Sequence, residues 1–287
     1  MAALSRAWAW LRHQALPIYA GLAIAYMLIP IAVIAVFSFG ATPKDKLTFA
    51  LDNGFTTEYW SSMFSLPELN EALSTSIRLA ALSTVIATAI GTTMAIALVR
   101  HRFAGKRAAN LLIVIPMATP EVVIGASLLS MFIYASFALG FTTLLIAHVM
   151  FSISFVVVVV RSRLIGFDRH LEEAAADLGA GPLTTFRTVT LPLLAPGILA
   201  AAMLAFALSI DDFVISNFNS GTTVTFPLYV YGVSLRGIPV QVNAIATLLF
   251  VVAAVAAGLT IWQQRRAERM AGARPEPEPA PATVTGI

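Results

Sequence analysis

The sequence predicts an all-α integral membrane protein with six transmembrane helices, for three reasons. The chain of 287 residues is 58% hydrophobic and only 11% charged, with a mean hydropathy of +0.83. This number of charged side chains is too small to cover the surface of a soluble domain. Lipid must therefore be the solvent for much of the chain. Six segments are long and apolar enough to cross a bilayer. The basic residues are concentrated in alternate loops between those segments.

Each predicted span has roughly 20 or more mostly apolar residues, because lipid satisfies no backbone hydrogen bonds. In chain order the six spans are 18–39, 73–99, 109–137, 139–160, 193–218 and 244–262. The first is longer than the apolar core of a signal peptide, which is about 7 to 15 residues, and is predicted to be a retained anchor. Prolines and acidic residues interrupt the third and fifth spans.

The positions of Lys and Arg predict the orientation of the spans. Of 18 basic residues, all but four precede the first span, lie in the 100–107 loop, lie between 161 and 187, or follow residue 262. The four exceptions lie in or beside the opposite loops: Lys44, Lys46, Arg78 and Arg236. The positive-inside rule therefore places both termini in the cytoplasm.

Three regions follow from these spans. Residues 1–17 are predicted to be a cytoplasmic N-terminus, residues 18–264 the membrane domain, and residues 265–287 a disordered cytoplasmic tail rich in Pro and Glu. The chain has no cysteine, and its four histidines have no metal-site spacing, so no metal site is predicted. The net charge of +3 is spread over loops, which predicts no nucleic-acid surface.

The loop at about 161–192, between the fourth and fifth spans, is the most charged part of the chain. Residues 169–178 favour a helix, and the Gly-Ala-Gly-Pro that follows is typical of a helix end. Residues 183–189 can form a second short helix before Leu191 and Pro192. The loop is therefore predicted to present a helix, a glycine turn and another helix on the cytoplasmic side.

This loop resembles the EAA loop of the inner-membrane permeases of binding-protein-dependent ABC importers, the type I family. The matching positions are Glu173, Ala174, Ala175, Gly179, Val189, Leu191 and Pro192. Val189 stands where the family usually has isoleucine. The resemblance implies the type I permease fold and a loop that docks into a groove on a separate ATPase and passes its motion to the membrane helices.

The residue types suit such docking. Small Ala174 and Ala175 allow close helix approach, Gly179 permits a tight turn, and Glu173 offers a charge-assisted contact. The alternative is an amphipathic surface helix that only caps the bundle. The chain contains no G-x-x-x-x-G-K-[ST] phosphate loop, so ATP and Mg would be bound by the partner ATPase, and the chain itself is predicted to be neither an enzyme nor a cofactor binder.

Three acidic residues fall inside the predicted spans: Glu121, Asp211 and Asp212. A carboxylate in the bilayer is costly unless it is paired or faces water, so each is a candidate for the transport path. No Lys or Arg lies deep in a span to neutralise them. Such a path suits a cation and would repel an anion.

Asp211 and Asp212 cannot share one helical face, because consecutive residues point about 100° apart. Ser209, Asp212 and Ser216 fall on one polar face if the stretch is helical, which favours Asp212 as the path residue. Asp211 would then hydrogen-bond within the protein.

Glu121 follows Pro116 and Pro120, which must break or kink the third helix and free carbonyls from the helical pattern. The alternative for Glu121 is a protonated side chain bonded to a freed carbonyl. The aromatic residue Phe213 lies next to the two aspartates and can flank an alkylammonium group by cation–π contact, as can Phe218, Tyr229 and Tyr231. These aromatics can equally belong to the core or the interfacial belt.

Segments 208–213, 242–247, 120–123 and 127–129 are similar to the polyamine branch of these permeases, and to the second of its two homologous membrane subunits. The resemblance implies a homologous permease partner, a dimer of the ATP-binding-cassette ATPase, an extracytoplasmic solute-binding protein and a small cationic solute such as putrescine or spermidine, in the bacterial inner membrane. The alternative within the family is another organic solute or cation. Two rivals from other classes are an ion-coupled secondary transporter and a non-transporting scaffold.

Overall fold

A computed structural model describes residues 2–41 and 54–272 of the chain. The described part is almost entirely helical, apart from an isolated antiparallel bridge between Gly40 and Phe55. It divides into two compact units, one formed by Met1–Met63 with Ile238–Ile287 and the other by Phe64–Gly237.

The first unit contains two long helices, α1 (Ala2–Phe37) and α12 (Val240–Gly272), which contact each other, and the short α2 (Glu58–Ser61). The Trp60 indole N–H donates to Ser38 Oγ at 3.2 Å, and its ring stacks on Phe39 with centroids 5.2 Å apart. Helix α12 continues to Gly272, past residue 265, where the sequence predicts the disordered tail to begin. Residues 273–287 lie outside the described residues.

The second unit contains the remaining elements. They are α3 (Pro67–Arg100), α4 (Lys106–Ala118), α5 (Glu121–Tyr134), α6 (Phe141–Ile165), α7 (His170–Asp177), α8 (Pro182–Thr185), a π-helical turn (Phe186–Thr190), α9 (Leu191–Ile210), α10 (Val214–Asn219) and α11 (Phe226–Ser234).

Helices α3, α6 and α9 pack against one another and form the core of this unit. Ala87 and Ala95 on α3, and Val156 and Val160 on α6, are completely buried there. Gly91 lies at the crossing of α3 and α6, where an added Cβ would be 2.6 Å from Val156 Cγ1. Small residues on α3 therefore allow the close approach of two membrane helices.

The third predicted span is broken, as the two prolines indicate. Helices α4 and α5 meet at an angle of 111°, and Pro120 is the residue before α5. Pro116 lies within α4, so the break occurs at Pro120 and not at Pro116. Proline at a helix start is tolerated because the first N–H groups have no intrahelical acceptor.

The fifth span differs from the prediction at both ends. The second short helix of the loop does not stop before Leu191, because α8, the π-turn and α9 run together from Pro182 to Ile210. The Leu191 N–H bonds to the Phe186 carbonyl across the π-turn, and Pro192 follows in the first turn of α9. At the other end the helix stops at Ile210, so the stretch around the two aspartates is not helical.

Five described helices are long and apolar enough to cross a membrane, and the bent pair α4–α5 makes a sixth if it counts as one span. The predicted fold class, an all-α membrane protein with six spans, is confirmed.

Candidate functional site

The EAA loop, residues 161–192, contains the compact helix α7. Asp168 Oδ1 accepts hydrogen bonds from the His170 backbone N–H at 3.0 Å and from the His170 ring, whose Nδ1 is 2.6 Å away. These hydrogen bonds hold the pKa of Asp168 below its usual value and raise the pKa of His170. Glu172 and Glu173 lie in the first turn, where negative charge favours the helix dipole.

Gly179 ends α7 in the way the sequence predicts. Its φ of +85° is left-handed, its N–H bonds to the Ala176 carbonyl at 2.9 Å, and the Ala180 N–H bonds to the Ala175 carbonyl at 3.0 Å. This pair of bonds is the Schellman motif, in which glycine avoids the steric cost of a left-handed residue.

Most of the matching positions of the loop face outward. Glu173, Ala174 and Gly179 are exposed, as are Leu191 and Pro192 at the start of α9. Two more of them are half-buried: Ala175 and Val189. The loop thus exposes small residues, with the exposed Glu173 carboxylate in the first turn of α7.

Glu172, the neighbour of the motif glutamate, points the other way. It accepts hydrogen bonds from the Arg100 guanidinium at the end of α3 and from the Thr190 hydroxyl in the π-turn. The Arg100 guanidinium also lies 5.5 Å from the centre of the Phe167 ring. We call Arg100, Glu172 and Thr190 the latch, because these residues join α7 to two membrane helices.

The contacts with Arg100 and Thr190 shift the pKa of Glu172. Partial burial raises the pKa, but the hydrogen bonds from Arg100 and Thr190 and the positive charge of Arg100 outweigh burial and leave the pKa below its usual value. A cavity of about 420 Å³ adjoins the latch. Its walls are Arg100, Glu172, Ala176, Ala180, Pro182, Thr185, Phe186 and Thr190.

A second polar site lies where α9 ends and α10 begins. Asp212 accepts the backbone N–H groups of Ile215 at 3.2 Å and Ser216 at 2.8 Å, so its carboxylate caps α10. Its side chain is only 6% exposed. Asp212 therefore does not present its carboxylate on an open helical face.

His148 on α6 completes this polar site. Its Nδ1 lies 2.8 Å from Ser209 Oγ, and its Nε2 lies 3.0 Å from Ser216 Oγ and 3.4 Å from Asp212 Oδ2. Ser83 on α3 donates to Ser209 Oγ at 3.0 Å. We call these five residues the His148 cluster, and all of them are inside the second unit.

The other path candidates lie differently. Asp211 is exposed beside the break, and Glu121 is exposed as the first residue of α5. The Phe213 ring packs at 51° against Tyr231, with centroids 4.9 Å apart, and Tyr231 is half exposed. Ser209, Asp212 and Ser216 would share a path-facing surface only on a continuous helix, and α9 stops at Ile210. The three do come together, but in the interior.

Sequence reasoning missed His148, Ser83 and the latch residues Arg100, Glu172 and Thr190. A histidine in an otherwise apolar span was a usable signal, because an ionisable side chain there needs a polar partner. The latch had no local signal, since Arg100 and Glu172 are 72 residues apart.

The sequence matches a family model described as "Binding-protein-dependent transport system inner membrane component" over residues 87–269. The chain belongs to this family. It is a multi-pass inner-membrane permease subunit of the ABC type and not itself an enzyme, as the sequence predicts.

Two curated relatives are similar over most of this permease. It is 40% identical to "Spermidine/putrescine transport system permease protein PotC" of Escherichia coli (strain K12) over 233 residues, which cover 80% of this chain and 86% of that protein. It is 34% identical to "Putrescine transport system permease protein PotI" of the same organism over 256 residues, covering 86% and 90%.

Solved structures support the fold. The permease resembles a chain of a bacterial ABC transporter involved in the import of alginate, with a TM-score of 0.64 at 15% identity, covering 91% of this chain and 99% of that chain. At that identity the likeness shows the type I permease fold alone.

Within residues 2–41 and 54–272 no group of three or more His, Cys, Asp or Glu side chains is placed to hold a metal ion. Among the described residues, the two sites described above are an exposed loop face joined on its inner side to membrane helices and a buried polar cluster at a helix break. Neither contains a nucleophile with an activating base in an open cavity.

Proposed function

We propose that this permease forms half of the path by which a bacterial ABC importer moves a polyamine, such as putrescine or spermidine, across the inner membrane. The observation that carries the mechanism is the EAA loop, whose outward face is free while its inward face is joined by the latch to α3 and α9. A subunit that is pulled by a partner needs both features.

The ATPase is the partner proposed for that outward face. Glu173, Ala174, Ala175 and Gly179 would enter a groove of an ATP-binding-cassette dimer that binds ATP and Mg, which requires the loop and both termini to be cytoplasmic. Closure of the ATPases on ATP would pull α7, and the latch would pass that motion to α3 and α9. A homologous permease would complete the path.

The substrate proposal rests on the curated relatives and on charge. The relatives are named for spermidine and putrescine, and the family name implies a separate binding protein that delivers the solute. Exposed Asp211 and Glu121 offer negative charge to a cation, and the Phe213–Tyr231 pair offers aromatic faces. We assign the path contacts to Asp211, Glu121 and Phe213, and we assign Asp212, Ser209 and Ser216 to holding the break.

The test is uptake of labelled putrescine and spermidine by a strain that lacks this chain. The strain is complemented with wild type, Glu173→Ala, Asp211→Asn or Glu71→Gln, the last being a matched control in which an exposed carboxylate at the other end of α3 is neutralised. We expect wild type and Glu71→Gln to restore uptake, Glu173→Ala to abolish it, and Asp211→Asn to raise the KM for both amines.

Each outcome separates one part of the proposal. Amine uptake that does not depend on wild type would contradict the polyamine assignment, and other organic cations would be tried next. Normal uptake with Glu173→Ala would contradict the docking role of the loop. Unchanged KM with Asp211→Asn would remove Asp211 from the path.

A further inference from the structure

The break between α9 and α10 needs support from outside its own chain segment. Residues Asp211 to Phe213 are not helical, and α10, at six residues, is too short to be stable alone. The Asp211 N–H makes only a long bond of 3.4 Å to the Ala207 carbonyl. Packing of α10 on α5 and α6 and side-chain contacts at the break therefore hold the two helix ends in place.

His148 is placed to do this from a neighbouring helix. One ring nitrogen contacts Ser209 in the last turn of α9, and the other contacts Ser216 of α10 and faces the Asp212 carboxylate. The imidazole, only 2% exposed, thus touches both sides of the break and the break itself. Because both nitrogens are engaged, the ring cannot turn without losing a buried hydrogen bond.

The residues next to Asp212 in the chain do not belong to the His148 cluster. Asp212 is turned inward onto the α10 N–H groups and His148, whereas its chain neighbours Asp211 and Phe213 have other surroundings. Asp211 is exposed, and Phe213 packs on Tyr231. The geometry of the exposed acid therefore depends on a buried histidine that never contacts it.

We propose that His148 is a positioning residue for the cation path. Its contacts with Ser209 and Ser216, which we call the clip, join α9 to α10 and thereby fix the geometry of the break from which Asp211 faces the solute. This inference rests on the proposed function only for the solute. The clip itself is a property of the second unit, and it can be measured without transport.

The chain contains no cysteine, so single cysteines report local opening directly. Ile215→Cys places a thiol at a position of α10 that is 1% exposed, and Ala87→Cys places one in the α3–α6 core. The rate of reaction with a small cationic thiosulfonate is measured on the full transporter in membranes. We expect both thiols to react slowly when His148 is present.

Replacing His148 by Ala should raise the reaction rate of Ile215→Cys about tenfold, the shift expected when a buried hydrogen bond is lost. The rate of Ala87→Cys should not change. Ser152→Ala is the matched control, since Ser152 is a buried polar residue of the same helix whose hydroxyl has no hydrogen-bond partner among the described residues. It should leave both rates unchanged.

A transport measurement then tests the positioning role. His148→Ala should raise the putrescine KM about tenfold, and should add little to the effect of Asp211→Asn, because both changes act on the same contact. If His148→Ala prevents assembly, Ser216→Ala replaces it, since this change removes the His148 contact on the α10 side alone.

The outcomes are distinct. An unchanged Ile215→Cys rate, or an equal rise at Ala87→Cys, would overturn the clip. A loosened break with an unchanged KM, or with additive effects of His148→Ala and Asp211→Asn, would overturn the positioning role. If wild type carries no amine at all, the proposed function fails, while the thiol rates still decide whether His148 holds the break.

Discussion

At the scale of single residues, neighbouring carboxylates have opposite roles. Glu172 turns inward to Arg100 and Thr190, whereas Glu173 is exposed, and Asp212 turns inward to His148, whereas Asp211 is exposed. Adjacent residues diverge because successive side chains leave the backbone in different directions. In each pair, the inward acid accepts hydrogen bonds within the protein and the other acid is exposed.

Neutralising the latch should uncouple the subunits. Glu172→Gln removes a charge-assisted bond to Arg100, worth about 1 to 3 kcal/mol, without touching the exposed motif face. We expect the ATPase to remain bound and to hydrolyse ATP, while amine transported per ATP falls severalfold. The measurement is uptake and hydrolysis by the same proteoliposomes.

Glu173→Ala is the comparison, because it should lose the bound ATPase instead. Restoration of coupling by exchanging the two charges, Arg100→Glu with Glu172→Arg, would support a direct pair. Loss of ATPase binding with Glu172→Gln would contradict the latch as a transmission element.

The pair at the start of α7 predicts a pH effect. Asp168 raises the pKa of His170, so the protonated ring is favoured by folding. The stabilisation is complete below the unfolded pKa of about 6.5 and is lost as pH rises through the higher folded pKa. An NMR titration of His170 should show a lower pKa in Asp168→Asn than in wild type. An equal pKa in both proteins would show that the pair does not form.

At the scale of elements, the membrane helices are shaped by exceptions to helical rules. Pro120 separates α4 from α5, and a π-turn precedes Pro192. At the break between α9 and α10, the Asp212 carboxylate caps the start of α10. Freed backbone groups are costly in lipid, so each exception needs a local partner. The regular helices pack against one another, whereas the latch lies at the π-turn and the His148 cluster lies at the α9–α10 break.

The crossing of α3 and α6 depends on the absence of a side chain at Gly91. Gly91→Ala would place Cβ 2.6 Å from Val156 Cγ1, and overpacking of this kind costs about 1 to 3 kcal/mol. We expect a lower midpoint of thermal unfolding for the purified protein, with recovery when Val156→Ala is added.

Gly232→Ala is the control for that experiment, because it adds the same methyl group within α11 where no atom lies within 4 Å. Alanine is the better helix former, so this variant should be neutral or slightly more stable. A midpoint for Gly91→Ala equal to that of wild type would contradict the tight crossing.

Across the whole molecule, the loops that join the membrane helices are alternately rich and poor in Lys and Arg. Leu178, in the EAA loop, is 89% exposed. Ser65, just before the start of α3, is also exposed, and it lies at the end of α3 opposite to Arg100. If both termini are cytoplasmic, these two positions lie on opposite sides of the membrane.

The Cys-free chain makes this orientation measurable. An impermeant thiol reagent should label Ser65→Cys on intact spheroplasts, and should label Leu178→Cys only after the membrane is opened. The reverse pattern would invert the proposed topology and would make docking of a cytoplasmic ATPase on the EAA loop impossible.

Much of the molecule could be predicted because its signals are local. Apolar length predicts the spans, Pro120 predicts the bend, and Gly179 predicts the end of α7, since each depends on the properties of a few successive residues. Membership of the family and the exposed loop follow from the same kind of signal. The predicted tail boundary at residue 265 precedes the end of helix α12 at Gly272, because composition changes before the helix ends.

Which polar side chains meet depends on contacts between helices that are distant in the chain. Asp212 faces His148, which is 64 positions earlier in the chain, and Glu172 is paired with Arg100 on another helix. A helical-face argument uses spacing within one segment and therefore carries no information about such partners. Composition and local pattern therefore suffice for the solvent, the spans and the family, whereas the partners of Glu172 and Asp212 depend on the packing of α3, α6 and α9, which brings distant residues together.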